Sequence, residues 1–208
     1  MRRRTTIGAV VAVAAMAATL ATPAYAQTGG TGGAGASADP TFYRMPFGAR
    51  DLSAGMTGTD VKTLNWALRG LALGTPYHAY FQQPTSYAVR NLQAASGLSA
   101  DGVVNRYTRK AMASRMLKHK ASWYGKGFFG RRTACGKKLT KKTIGVAHRK
   151  LPCGTRVVFA HRGRWVRAKV IDRGPYVKGR KWDLTQRLAK QLGALKAGTP
   201  KLKVAVAP

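Results

Sequence analysis

The fold is decided by six short motifs that follow one another between residues 121 and 184: ASWYG (121–125), GRRTACG (130–136), VAH (146–148), LPCGT (151–155), DRGPY (172–176) and WDL (182–184). Around them, runs of β-branched and aromatic residues predict strands at 121–124, 157–159, 165–171 and 203–206. Residues 185–192 predict one helix, which Gly193 ends. Several short strands with one embedded helix are typical of a small β-barrel.

In this order the motifs resemble the double-psi β-barrel of the rare lipoprotein A (RlpA) family, which is related to expansins. The resemblance covers residues 118–208 and implies six strands with one or two short helices. It also implies a function. The family is associated with lytic transglycosylase activity on glycan strands, and expansins with non-hydrolytic loosening of polysaccharide walls.

The resemblance implies a sugar-binding groove bordered by Asp172 and Asp183, the two acidic residues of this half of the chain. Each has a structural alternative: Asp172 as a turn residue that binds nearby backbone, and Asp183 as the residue that leads into a helix. His148 is a third candidate catalytic residue, which could orient a substrate or an aspartate, with a core histidine as its alternative.

The candidate substrate-binding residues are Tyr124, Thr133, Arg173, Tyr176 and Trp182. The aromatic ones could stack on sugar rings. Because alternate residues of a strand face the core, some of these rings are expected there, and only one or two in the groove.

One position departs from the family. Its lytic members carry Glu directly after the Thr-Ala-Ser-Gly motif, where this chain has Lys137, and the chain contains no Glu at all. A lytic transglycosylase needs a carboxylic acid to protonate the glycosidic oxygen. Among 25 basic residues at 118–208, we expect both aspartates to be ionised unless burial offsets the surrounding charge. Lys137 therefore predicts little or no lytic activity and leaves open whether the protein is an enzyme or a non-catalytic, expansin-like module.

The segment before the barrel predicts three helices. Leucines at 64, 68 and 71 recur at helical spacing, a second helix follows Pro84 and ends at Gly97, and a third spans 108–117. With the DGVV turn at 101–104, this pattern resembles the three-helix peptidoglycan-binding domain, which we expect at 48–117. One departure is Ala79–Tyr80, which replaces the glycine that usually precedes the following aromatic residue. The predicted fold is therefore two domains, a small all-α three-helix bundle followed by a six-stranded double-psi β-barrel.

The chain begins like an exported protein. Arginines at 2–4, an apolar run at 7–21 and a small-residue cleavage site at 24–26 predict a secretory signal peptide over residues 1–26. The apolar run is shorter than the ~20 residues that span a bilayer, so a membrane anchor is the less favoured alternative. Residues 27–47 predict a flexible linker rich in Gly, Ala, Ser and Thr. The expected location is secreted and associated with the cell wall.

Cys135 and Cys153 are the only cysteines. In an exported chain, two cysteines predict one disulfide, with two buried free thiols as the alternative. Two cysteines without paired histidines are half of a zinc site, so we predict no metal and no cofactor.

Charge narrows the class of partner. The formal net charge is +31, and a surface this basic needs a polyanion nearby. The polyanions available to an exported protein are teichoic acids, other anionic wall polymers and lipid headgroups. We expect a monomer with no stable membrane span, which binds peptidoglycan glycan strands, with anionic wall polymers as second candidate partners. No nucleic-acid partner is expected. A secreted polyanion or nucleic-acid binder is a remote alternative that charge alone supports.

Overall fold

The computed structural model describes residues 45–208, so the predicted signal peptide and most of the predicted linker lie outside the described residues. A helical part precedes a closed six-stranded β-barrel, which confirms the predicted fold class. The elements are α1 (Thr59–Gly70), α2 (Gln83–Ala94), α3 (Arg106–Arg115), β1 (Leu117–Tyr124), β2 (Val146–Ala147), β3 (Arg156–His161), β4 (Arg164–Asp172), β5 (Trp182–Thr185), α4 (Gln186–Gln191) and β6 (Lys201–Ala207).

The first three helices form where the sequence supplies both an apolar face and a suitable first turn. α1 buries Leu64 and Leu68. α2 carries Pro84 in its first turn, where the missing N–H has no helical partner to lose. α3 follows Asn105, whose side chain accepts hydrogen bonds from two backbone N–H groups of that helix. The predicted third helix runs two residues too far, because Leu117 already pairs with β6 as the first residue of β1.

The barrel has the strand order β1-β5-β2-β4-β3-β6 and closes where β6 pairs with β1. The β1–β5 and β2–β4 pairs are parallel, and the other four pairs are antiparallel. Its interior is filled by large apolar side chains, with Leu188 of α4 closing over them: Phe159, Val170, Trp182, Leu184 and Leu202.

α1 packs directly on the barrel. Its buried face lies in one hydrophobic cluster with side chains from β3, β4 and β6. The rings of Phe47 and Trp165 meet edge to face, with centroids 5.2 Å apart. At Gly70 a Cβ atom would lie 2.8 Å from the Cβ of Ala205, so this glycine lets the end of α1 approach β6. The helical part and the barrel therefore share a core.

Basic side chains complete this contact without an acidic partner. Arg167 of β4 donates from Nε to Thr63 Oγ1 at 3.0 Å, and its guanidinium lies over the Trp66 ring at 5.2 Å from the centroid. Arg156 of β3 lies over the Tyr77 ring at 4.1 Å. Such stacking on aromatic faces stabilises a partly buried guanidinium.

Cys135 and Cys153 form a disulfide, as predicted. Across residues 45–208, no helix has the length and apolar character that crossing a membrane requires. Over the same range, histidine, cysteine and acidic side chains form no group of three or more that could hold a metal ion.

Candidate active site

Asp172 and Asp183 lie on the same face of the barrel sheet. Asp172 ends β4, Asp183 is the second residue of β5, and both pair with Ala147 of β2, the strand between them. Residues in register project from the same face of a sheet. Two strand spacings separate their Cα atoms by roughly 10 Å. The fold thus brings together the two acidic residues of the barrel.

Asp172 is held by the loop that contains the disulfide. Its Oδ1 accepts hydrogen bonds from the backbone N–H groups of Ala134 and Arg173, each at 2.9 Å. The loop is fixed in turn, because the N–H of Cys135 donates to the carbonyl oxygen of Ile171 at 3.2 Å. Two backbone donors on one oxygen fix the orientation of this carboxyl group. The turn-like contact with Arg173 that we considered as a structural alternative is present beside the long-range contact with Ala134.

Asp183 is in a different environment. It is half-buried, and its Oδ1 has no hydrogen-bond partner among the described residues. Burial raises the pKa of this carboxyl above its ordinary value, the charge of Asp172 adds to the effect, and a hydrogen bond from Ser122 and the charge of Arg180 oppose it. At Asp183, loss of solvation therefore outweighs the nearby positive charge in setting the direction of the shift, which is the exception that the sequence expectation allowed for burial.

Tyr124 is the last residue of β1, and its side chain lies near both aspartates. Its ring packs edge to face on Phe128, and its hydroxyl is buried without a hydrogen bond of normal geometry. Burial, and then the negative charge of Asp172, raise the pKa of this phenol. The hydroxyl therefore keeps its proton at physiological pH, and it is buried beside Asp172.

Lys137 is exposed and is held by Thr133. Its N–H donates to Thr133 Oγ1 at 3.2 Å, and its carbonyl oxygen accepts from the N–H of Thr133 at 2.7 Å. Thr133 is itself buried, so its side chain supports the loop. The position where lytic family members carry Glu thus presents a solvated cation.

Trp182 and His148 do not belong to the aspartate face. Trp182 is 1% exposed, and its ring packs against those of Phe159 and His148 at centroid distances of 5.3 and 4.4 Å. His148 Nδ1 accepts from the N–H groups of Lys150 and Leu151 at 3.2 and 3.0 Å. Neighbouring residues of a strand point to opposite faces, so Trp182 faces the core when Asp183 faces outward. We therefore withdraw Trp182 as a sugar-stacking residue and His148 as a catalytic one.

Two further predicted substrate-binding residues, Arg173 and Tyr176, differ in how far they are exposed to solvent. Arg173 is half-buried, and its Nη1 donates to the carbonyl oxygen of Leu151 at 3.0 Å. Tyr176 is 79% exposed and is the most accessible aromatic ring of the barrel. Of the predicted aromatic contacts, Tyr124 and Tyr176 stay candidates.

Sequence reasoning missed Ser122 and Arg180. Ser122 pairs in register with Asp183, and its hydroxyl opposes the rise in the pKa of that carboxyl. Its position two residues before Tyr124 places both side chains on the same face of β1, so alternation within the ASWYG motif could have identified it. Arg180 lies in the loop before β5, and no sequence signal separates it from the other arginines.

The arrangement can both donate and accept a proton. A desolvated carboxyl and a second carboxyl fixed by backbone donors differ in environment in the way that acid and base pairs of enzymes do. Asp183 can hold a proton at higher pH than an ordinary aspartate, and Asp172 presents an oriented oxygen. Tyr124 adds a neutral hydrogen-bond donor.

Comparison with known proteins agrees with this geometry. Residues 117–204 match a family model described as lytic transglycolase, and residues 57–112 match a peptidoglycan binding domain model. "Endolytic peptidoglycan transglycosylase RlpA" of Pasteurella multocida is 31% identical over 132 residues, covering 62% of this chain and 39% of that protein. "Probable endolytic peptidoglycan transglycosylase RlpA" of Aquifex aeolicus is 49% identical over 80 residues, covering 38% and 35%. The chain thus spans about a third of the length of these relatives.

Two solved structures align with part of the chain. Streptomyces papain inhibitor aligns with a TM-score of 0.38 at 23% identity, covering 44% of this chain and 94% of that one. A mutant expansin of Clavibacter michiganensis in complex with cellohexaose aligns with a TM-score of 0.38 at 18% identity, covering 45% and 50%. By these matches, residues 57–112 are similar to a peptidoglycan-binding domain, and residues 117–204 are similar to the lytic transglycolase domain of RlpA proteins.

Proposed function

We propose that this protein is secreted to the cell wall, binds peptidoglycan, and cleaves its glycan strands at the face that carries Asp172 and Asp183. The observation that carries the proposal is the burial of Asp183 on the same face as Asp172, in a domain with an otherwise basic composition. Burial supplies the chain with a carboxyl group that can hold a proton. The lytic family match supports the reaction class, and the peptidoglycan-binding match supports the substrate.

In this reaction Asp183 gives its proton to the glycosidic oxygen as the bond from that oxygen to C1 breaks. The first transfer leaves Asp183 ionised. The 6-hydroxyl of the same sugar then forms the new bond to C1 and gives its proton back to the Asp183 carboxylate. The product is an anhydro sugar, and no water is consumed. In this proposal the carboxylate of Asp172 stabilises the positive charge that develops at C1.

A second function is favoured by Lys137. Its exposed side chain stands where lytic relatives carry a carboxylate, and a cation is a poor replacement for a carboxylic acid in this reaction. On this alternative the same face holds a glycan strand through hydrogen bonds to the aspartates, and the protein loosens the wall without breaking bonds. Both functions require Asp172 and Asp183, and they differ in the products.

Mass spectrometry of purified sacculi after incubation with the full chain separates the two. Cleavage predicts soluble fragments with anhydromuramyl ends from the wild type, none from Asp183→Asn, and more from Lys137→Glu. Lys138→Glu, at the adjacent exposed lysine, is the matched control and should leave the wild-type yield unchanged. Release by Lys137→Glu alone would select the non-catalytic function. Equal release by the wild type and Asp183→Asn would contradict the assignment of Asp183 as the acid.

A further inference from the structure

A basic cavity opens between the first half of β1, the loop after β2 and the loop before β5. It has a volume of about 530 Å³, within the range of ligand-binding pockets. We call it the basic pocket. Its walls include two histidines, His119 and His148, and no acidic residue, and its cations are Lys118, Lys120, Arg149, Lys150, Arg180 and Lys181. Six like charges around one cavity repel one another unless an anion lies among them.

The hydrogen bonds of His119 identify a missing acceptor. The indole Nε1 of Trp182 is a donor only, and it donates to Nδ1 of His119 at 3.1 Å. Nδ1 therefore carries no proton, and the proton of the neutral ring is on Nε2. Nε2 lies 3.4 Å from Nζ of Lys181, which is also a donor. Two donors face each other, and an anionic oxygen beside them would accept from both.

His148 has the same protonation pattern. Its Nδ1 accepts two backbone N–H groups, so Nε2 is its remaining donor. Burial lowers the pKa of both His119 and His148, and the charge of Lys181 lowers each further. The pocket therefore offers two neutral imidazole N–H groups among six cations.

Arg149 is fixed before any ligand arrives. Its Nε donates to the carbonyl oxygen of Pro175, and its Nη2 donates to that of Val177 at 3.1 Å. These contacts tie the loop after β2 to the loop before β5, so the two sides of the pocket are held together. A site that is ordered in advance loses less entropy on binding.

We propose that the basic pocket binds a phosphate group of an anionic wall polymer. Phosphate is favoured over carboxylate because its oxygens can accept from several donors at once, and the pocket offers more N–H groups than two carboxylate oxygens can use. The geometry of the pocket alone supports the binding of phosphate. The choice of a wall polymer as the source of that phosphate rests on the proposed function.

The first test measures the pocket alone. Inorganic phosphate and glycerol phosphate are titrated into the full chain while the ring signals of His119 and the indole N–H signal of Trp182 are followed by NMR. We expect saturable shifts and a higher pKa of His119 in the presence of phosphate, because a nearby anion favours the charged imidazole. The groups that face this ring are Lys118, Lys120, Arg180 and Lys181, together with His148, Arg149 and Lys150 across the cavity.

Two double variants of equal charge provide the control. Lys118→Gln with Lys181→Gln removes two cations from the pocket, and Lys141→Gln with Lys142→Gln removes two exposed lysines outside it. The pocket variant should bind phosphate roughly tenfold more weakly, since hydrogen bonds to charged groups are the strong ones, and the control should bind as the wild type does. Shifts that do not saturate, or equal losses in both variants, would overturn the proposal.

The second test identifies the source. The full chain and both variants are sedimented with cell walls before and after removal of the phosphate polymers. The pocket variant should bind intact walls more weakly than the control, and the difference should vanish on stripped walls. Loss of all binding to stripped peptidoglycan would contradict the proposed function and leave the pocket standing. Equal binding of both variants to intact walls, or displacement by a DNA oligonucleotide more readily than by a glycerol phosphate polymer, would refute the wall polymer as ligand.

Discussion

Removal of the Cys135–Cys153 disulfide tests how the loop around Asp172 is held. The bridge joins residues 18 positions apart. It ties the loop that donates to Asp172 from Ala134 to the turn that follows β2. Replacing both cysteines by serine leaves two small polar side chains of nearly the same volume. The variant therefore changes the covalent link with little change in packing.

The size of the effect follows from the loop that the bridge closes. The chain-entropy model gives a stabilisation of about 3 kcal/mol for a loop of this length. For a protein of this size, 1 kcal/mol lowers Tm by roughly 2–4 °C, so the double variant should unfold roughly 6–12 °C below the oxidised wild type. The looser loop should also weaken glycan binding, because the Ala134 N–H that orients Asp172 is no longer held.

Thermal unfolding followed by circular dichroism measures this difference. Dithiothreitol should lower Tm of the wild type to that of the variant and leave the variant itself unchanged, which controls for effects of the reagent. If the wild type and the variant unfold within about 2 °C of each other in the absence of reductant, the bridge does not stabilise the fold. The role assigned to it at Asp172 would then also be wrong.

Three further predictions follow from burial and charge. Gly145→Ala should lower the free energy of unfolding by about 1–3 kcal/mol in urea titrations, because the new Cβ would lie 2.6 Å from Cγ1 of the buried Ile171. Gly127→Ala is the control and should have little effect, because the space around Gly127 is open. Asp183→Asn should be more stable than the wild type at neutral pH, because a raised pKa makes the ionised carboxyl costly in the folded state. That gain should disappear below pH 3.8, where folded and unfolded chains both hold the proton. Binding of the full chain to walls should weaken steeply as salt rises from 0.05 to about 0.5 M. At 0.1 M and above, salt largely screens the attraction between exposed charges that are more than ~10 Å apart. Binding that does not change with salt would assign recognition to sugar contacts alone.

The barrel was predictable because its motifs are local and occur in one order. Two of its strands were not predicted from residue pattern. β2 has two residues and β5 has four, which is too short for alternation to stand out. They are defined by their neighbours, since β2 lies between β4 and β5 and pairs with both. The pairing that places Asp172 and Asp183 on one face therefore needed the structure.

The protonation of the site could not be read from composition. Counting charges predicts a lowered pKa for every aspartate of the barrel, whereas burial raises the pKa of Asp183. The burial of a strand residue depends on its neighbours on the adjacent strands, and for Asp183 one of these is Ser122 of β1. The exclusion of Trp182 from the groove was within reach of the sequence, because two adjacent strand residues cannot share a face.

The contact between the helical part and the barrel was also hidden. Gly70 at the end of a predicted helix indicates a helix terminus. In the structure its missing side chain also makes room for Ala205, which is 135 positions later in the chain. A contact between residues so far apart has no local pattern in the sequence.

The central claim is that burial makes Asp183 the acid of the site, and the titration of its carboxyl carbon by NMR tests this most directly. The full chain is labelled with carbon-13, and Asp183 is assigned by the signal that Asp183→Asn removes. The account predicts that this signal titrates above the ordinary value of 3.8, and that Ser122→Ala raises its midpoint further, because the hydrogen bond from Ser122 lowers the pKa. A midpoint at or below 3.8 would contradict this assignment of Asp183 and leave the aspartate face without a proton donor.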